Sequence, residues 1–453
     1  MTYKHWLTLA LFAISLSAQA AQNLLQIYQQ ALARDPVWSA AQNANRASQE
    51  KIVQGQAQYL PVISIAGNAN ATNNDVRFVG GGALPPNQPG ARRDGIQNYQ
   101  GYSLGVNVVQ PLFRPQIRAQ LEQAKSMVQQ SDIELAMTRQ ALILRSSQLY
   151  FDVLLAQDKI NLIEAQKQAI SQQLAEAKAR FDLGTSTITD VNESQARFDL
   201  IQAQQIAAVN ELEIKKRALQ AMIGEMPQSL VPLREDLLAQ SPDPMNIEKW
   251  VDMANFSNLK IAMQKQALEI ATQEVERQNA GHLPTLDLVG SYTDSYVNGG
   301  IAGIGTDLRT AVIGMQLAIP LYQGGAINSR VREAIANKLK AQDDLEAARR
   351  QADMETRQAY LNLMSNVAQI SALEQALTSS KTQLESTQLG YEVGVRNSVD
   401  LLNAQQLFFN AKRDLLQARY SYLMNVLNLK ASVGSLSNTD IEAVNQQLVA
   451  SYE

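Results

Sequence analysis

Two stretches decide the fold: GTSTITDV, Gly184 to Val191, and GVRNSVDL, Gly394 to Leu401, which lie 210 positions apart. Each interrupts a long polar run rich in alanine and glutamine. Gly184 and Gly394 stand just past the last apolar residue of a heptad, where a glycine can take the left-handed conformation that closes a helix. Thr187 and Asn397 then stand where an N-cap belongs, and Asp190 and Asp400 follow three residues on, at the capping-box position. Each stretch therefore reads as a tight turn between two antiparallel helices. Capping alone accounts for both aspartates, because a carboxylate in a first helical turn meets free N–H groups and the positive end of the helix dipole.

The helices flanking these turns are long. Apolar residues fall at Leu142, Leu149, Val153, Ile160, Ile163, Ile170, Leu174 and Phe181, and again at Ile370, Leu377, Leu384 and Tyr391. Such spacing is a sustained heptad seam. A helix from Gln116 to about Leu183, at 1.5 Å per residue, would be about 100 Å long, wider than a globular domain of ordinary size. It must stand as a coiled-coil rod or pack into a multi-chain cylinder.

The turns belong to a repeat that runs through the chain. AQYLPVISIAG (Ala57 to Gly67) answers AGHLPTLDLVG (Ala280 to Gly290), VVQPLFRPQIRAQLEQA (Val108 to Ala124) answers LAIPLYQGGAINSRVREA (Leu317 to Ala334), and Tyr150 answers Tyr360. The Leu-Pro pairs are offset by 223 rather than 210, so the first repeat carries extra length. It falls on VGGGALPPNQPGARRDG, Val79 to Gly95, whose glycines and prolines read as a loop.

The chain accordingly reads as mainly α with a small β part, built from a duplicated helix–strand–strand–long helix–helix unit. The first repeat spans 21–222, with strands at about 60–72 and 100–112, a long helix at about 116–183 and a helix at about 188–222. The second spans 246–433, with strands at about 283–296 and 309–320, a long helix at about 326–393 and a helix at about 398–432. Between them 223–245 is a linker, rich in proline at Pro227, Pro232, Pro242 and Pro244, and 434–453 is a tail.

Period-two alternation marks the strands: Tyr102, Leu104, Val106 and Val108 are apolar, with Ser103, Gly105 and Asn107 between them. The fourth strand repeats the pattern at Ile313, Met315, Leu317 and Ile319. One greasy face suits either a soluble sandwich or an outer-membrane barrel. Four strands per chain are too few to close a membrane barrel, which needs about eight. A barrel would have to be shared among chains.

Composition narrows the function. Lys4 and His5 precede an apolar run, Trp6 to Leu16, and Ala18-Gln19-Ala20 has the small-x-small form of a signal-peptidase site, so 1–20 reads as a signal peptide and the mature chain as starting at Ala21. The apolar run is short for an uncleaved membrane anchor. The 453 residues include no cysteine, so an exported chain of this size is held by packing or assembly rather than by disulfides. With the signal peptide removed, His282 is the one imidazole, which leaves little room for a histidine metal cluster or a Ser-His-Asp triad. A formal charge of −4 argues against a nucleic-acid partner. The glycine cluster NGGIAGIGTD, Asn298 to Asp307, lacks the spacing of a dinucleotide loop and reads as a turn between strands. No enzyme activity, cofactor or metal is expected.

RFDLGTSTITDV, GYEVGVRNSVDL and HLPTLDL followed by IPLYQGG, set in a duplicated plan behind a signal peptide, together resemble the TolC-like outer-membrane efflux proteins. The resemblance covers essentially the whole mature chain. It implies a homotrimer in which four strands from each chain build one twelve-stranded barrel in outer-membrane lipid, continued by a periplasmic α-helical barrel with a coiled-coil tip. The linker and the tail after Gly434 would lie in an equatorial belt around it. The implied function is an exit duct for toxic compounds or polypeptides, served by a periplasmic adaptor (membrane-fusion) protein and an inner-membrane pump of RND, ABC or MFS type. The family's gate lies at the periplasmic tip. Carried over residue by residue, its constriction falls on Asp400 and its interlock on Thr189, Asp190, Tyr391 and Arg396. The family's second acidic position, one helical turn after Asp400, holds Asn403 here, a departure that weakens the acidic ring. A periplasmic coiled-coil tether with a soluble β head is the alternative from another class.

Overall fold

The computed structural model describes residues 21–77, 79, 95–234, 236–300 and 304–448. The expected signal peptide, most of the loop between Val79 and Gly95, part of the glycine cluster and the end of the tail lie outside the described residues.

In the first repeat the elements are α1 (Leu24–Arg34), α2 (Pro36–Ala57), β1 (Val62–Val76), β2 (Gly95–Phe113), α3 (Pro115–Asp182) and α4 (Ile188–Ile223). In the second they are α5 (Ile247–Ser257), α6 (Leu259–Asn279), β3 (Thr285–Val297), β4 (Thr306–Ala318), α7 (Ala326–Glu392) and α8 (Ser398–Val433), with α9 (Asn438–Asn445) following. Lengths match between repeats: α3 has 68 residues and α7 67, while α4 and α8 have 36 each. β1 and β2 run further toward their connecting loop than the alternation of apolar residues indicated, because Asn68, Asn70 and Asn74 keep the ladder going without an apolar face.

The chain forms two compact units, and the division cuts across the repeats. Ala41–Ala136 with Leu259–Gln351 make one unit, so each repeat supplies it with two strands. Its sheet is antiparallel in the order β1-β2-β3-β4. Val108 pairs with Ile63 on one side and Gly290 on the other, and Tyr102 stacks on its cross-strand partner Tyr296 with ring centroids 5.4 Å apart. Apolar side chains stand bare on this sheet: within one chain Ile63 is 66% exposed and Ile313 80%. Faces of that kind are met by lipid or by another chain. β1 and β4 each leave one edge unpaired. At the foot of β2, after a bulge between Pro111 and Phe113, Arg114 grips Asp287 of β3 with two hydrogen bonds of 2.8 and 2.6 Å.

The other unit is built from Met1–Ala40, Met137–Asn258 and Ala352–Glu453. Tyr150, Phe151, Leu219, Ile223, Leu423 and Leu427 are fully buried in its core. Tyr150 donates its hydroxyl to the Val231 carbonyl at 2.8 Å, fastening α3 to the linker. The linker also bridges Leu230 to Gln22 and Leu233 to Leu448, so the segment before α1, the linker and the tail lie together. Gly434 allows the tail to turn off α8: it has φ +85°, and a β-carbon there would sit 2.3 Å from the Ser257 carbonyl oxygen. Along the seams, Leu142, Val153, Ile160, Ile170 and Ile370 are buried. Phe181 is not: it is 42% exposed, since α3 ends one residue later and no further turn of helix covers it. Among the described residues no helix is long and apolar enough to cross a membrane.

Candidate functional site

Both turns are built alike. Gly184 has φ +74° and Gly394 +79°. Thr185 donates its backbone N–H to the Arg180 carbonyl at 2.9 Å, and Val395 donates to the Gly390 carbonyl at 2.8 Å. Gly184 and Gly394 reach back to Phe181 and Tyr391 in the same way. These are paired Schellman closures, which only a residue free to adopt positive φ makes without strain.

The helices that leave the turns are capped differently. At α4, Thr187 accepts from the Asp190 N–H, and the Asp190 carboxylate accepts from the Thr187 N–H at 3.1 Å, a complete capping box. At α8, Asn397 accepts from the Asp400 N–H at 2.8 Å, but the Asp400 side chain turns to Arg396, 3.8 Å away. Capping therefore occupies one carboxylate and not the other.

Asp190 gathers the densest polar contacts of the site. Its Oδ2 accepts from the hydroxyls of Ser186 at 2.9 Å and Thr187 at 2.8 Å, and its Oδ1 from the Ser398 hydroxyl at 2.7 Å. These donors, Ser398 foremost, hold its carboxyl down to about 2, because each favours the ionised form. Tyr391 is buried beneath the Arg180 guanidinium, 4.5 Å from ring centroid to charge, a cation–π contact between the ends of α3 and α7. Asn403 accepts from Arg197 of α4 at 3.3 Å, and Arg197 is itself held by Glu193.

Of the residues named for the interlock, Asp190 meets Ser398, Tyr391 meets Arg180 and Arg396 meets Asp400. No hydrogen bond or ion pair joins Arg396 to Asp190 within the protomer; Arg396 faces Asp400 instead. Thr189 is exposed beside Asp190. Ser398, Arg180 and Arg197 were not singled out by the sequence. For Ser398 a signal exists: its counterpart 210 positions earlier is Ile188, so a hydroxyl replaces an aliphatic side chain at the head of the matching helix. Next to these contacts a cavity of about 440 Å³ is lined by Gln173, Glu176, Arg180, Tyr391 and Gln405 among others.

The sequence pattern of the family described as Outer membrane efflux protein matches residues 27–225 and 250–435, both repeats with most of the linker left out. The chain is 32% identical over 436 residues to the outer membrane protein TolC of Vibrio cholerae, with 95% of each chain covered. It is 30% identical over 449 residues to the alkaline protease secretion protein AprF of Pseudomonas aeruginosa, covering 98% of this chain and 91% of the relative. Its fold matches the crystal structure of the outer membrane protein VceC of Vibrio cholerae with a TM-score of 0.74 at 20% identity, over 91% of this chain and 96% of that one. With the pattern matched in both halves and such identity over nearly its whole length, the protein belongs to the outer membrane efflux protein family, trimeric exit ducts whose twelve-stranded barrel takes four strands from each chain.

Proposed function

We propose that the two helical turns form the periplasmic gate of this duct, with Asp400 and Asn403 at the constriction and Thr189, Asp190, Tyr391 and Arg396 in the links that keep it shut. The observation that supports the reading most is that polar side chains link α4 to α8 and α3 to α7 at this end, beside the buried Leu401 and Leu402. Polar links between helices exchange for water at little net cost, which suits a joint that must open. Family members are channels, so no residue is given a catalytic role.

The duct works with partners in a tripartite system. An adaptor engaging the helical tip would draw the hairpins apart, and the pump would supply the energy. Both small toxic compounds and polypeptides are proposed cargo, since a relative of near full-length coverage is named for protease secretion. Membership in an outer-membrane family displaces the soluble-tether alternative. Replacing Tyr391 and Arg396 together by alanine is expected to raise single-channel conductance in planar bilayers. Conductance equal to wild type would count against a gate at these turns. In a deletion strain, the wild-type gene should restore drug tolerance and protein secretion.

A further inference from the structure

Ile188 and Ser398 occupy the same place in the two repeats, the first residue of α4 and of α8. They behave oppositely. Ile188 is 52% exposed, whereas Ser398 is 2% exposed, with its hydroxyl 2.7 Å from Oδ1 of Asp190 on the other turn. Among the described residues, no other hydrogen bond joins the two turns directly.

The acceptor is prepared for this bond. Ser186 and Thr187 hold Oδ2 of Asp190 within its own turn, which fixes the carboxylate plane and leaves Oδ1 free to cross. A hydroxyl donating to an ionised, immobilised carboxylate makes a stronger bond than one between neutral groups. Arg396, the other candidate for spanning the turns, is engaged with Asp400 two residues beyond Ser398.

We propose that Ser398 is a latch of the closed tip: within each protomer its hydroxyl, donated to Asp190, fastens the α7–α8 hairpin to the α3–α4 hairpin, in addition to the links named above. The latch rests on the gate reading above and gives that gate a chain-specific fastening. Ser398 is a positioning residue, touching no cargo. It divides the two homologous aspartates by task, Asp190 to hold the hairpins and Asp400 to face the entrance.

The test uses full-length trimers in planar bilayers, with trimer yield in detergent as the folding control. Ser398→Ala removes a single hydroxyl at a position where alanine suits a helix. It is expected to raise mean conductance or open time severalfold. Ser186→Ala, which removes one of the three bonds to Oδ2 and leaves Thr187 holding it, is expected to raise both by much less than Ser398→Ala does. The double variant Ser398→Ala with Asp190→Ala should open no further than Asp190→Ala alone. A role in local stability only would make Ser186→Ala and Ser398→Ala equivalent, and would overturn the latch. Wild-type conductance in Ser398→Ala beside an open Arg396→Ala would overturn the latch and leave the gate standing. If neither of these variants nor Tyr391→Ala with Arg396→Ala alters conductance, the gate itself falls, and the latch with it.

Discussion

Arg396 lies 3.8 Å from Asp400 at the head of α8, so the carboxylate proposed to ring the entrance carries a counter-ion on its own chain. Both side chains are substantially exposed, so solvent weakens the pair and leaves it free to exchange. Three copies of Asp400 around a narrow opening would still favour cations. Such a well would be shallow, because Arg396 offsets it and Asn403 adds only an amide dipole. Block by a trivalent hexammine cation from the periplasmic side should therefore be weak and strongly reduced by salt. Arg396→Ala and Asn403→Asp should each deepen it, and Asp400→Asn should abolish most of it. Block unaltered in Asp400→Asn would remove that residue from the pore.

Assembly follows from the sheet. One protomer leaves the outer edges of β1 and β4 unpaired and exposes Ile63, Ile65, Ile313, Met315 and Leu317. Unpaired edges are not tolerated in lipid, where no water replaces the missing hydrogen bonds. The detergent-solubilised protein should be a trimer by light scattering, and a stable folded monomer would contradict this.

How far the sequence discloses all this depends on the kind of information required. The turns at Gly184 and Gly394 are legible because positive φ and N-capping restrict residue type at fixed offsets, whatever the rest of the fold does. The strands are legible only where they are greasy, which is why β1 and β2 run past their apolar stretches. Ser398 is not legible as a link between the turns, because a serine at the start of a helix has a sufficient local explanation. Its partner across the turns is visible only once α4 and α8 are placed side by side. Arg396 shows the converse limit: a long, flexible side chain had one carboxylate four residues away and another across the turns, and spacing does not choose between them.

Arg114 and Asp287 give a test of how the sheet is fixed to its helices. Asp287 is 8% exposed and takes both of its hydrogen bonds from the Arg114 fork. Arg114→Ala would leave a buried carboxylate without a partner, at a cost of about 1–3 kcal/mol per protomer. The trimer should dissociate at a lower temperature on heat-modifiable gels. Replacing both, Arg114→Met with Asp287→Leu, should recover much of the loss, because no charge is then left buried. A double variant as labile as Arg114→Ala would show that the pair does more than satisfy itself.

Protonation supplies the last prediction. The Asp190 carboxyl is held down to about 2 by the hydroxyls of Ser398, Thr187 and Ser186 together with the Thr187 amide, while partial burial pushes the other way. The groups in contact with it from both turns are neutral donors, so their own charges do not change in the same range. A carboxyl depressed in the folded state stabilises that state fully above its unfolded value of about 3.9 and loses the contribution as pH falls through the folded value. The closed tip should therefore keep this fastening at pH 5 and shed it as the pH approaches 2. Single-channel recordings across that interval should show opening that begins below about pH 4. Ser398→Ala has already lost the bond that couples this carboxyl to the other turn, so it should be more open at neutral pH and show a smaller rise on acidification than wild type. Asp190→Asn has no charge to lose there, and its conductance should be insensitive to pH over the same range. An acid response of the same midpoint in Asp190→Asn would assign the effect to another carboxylate.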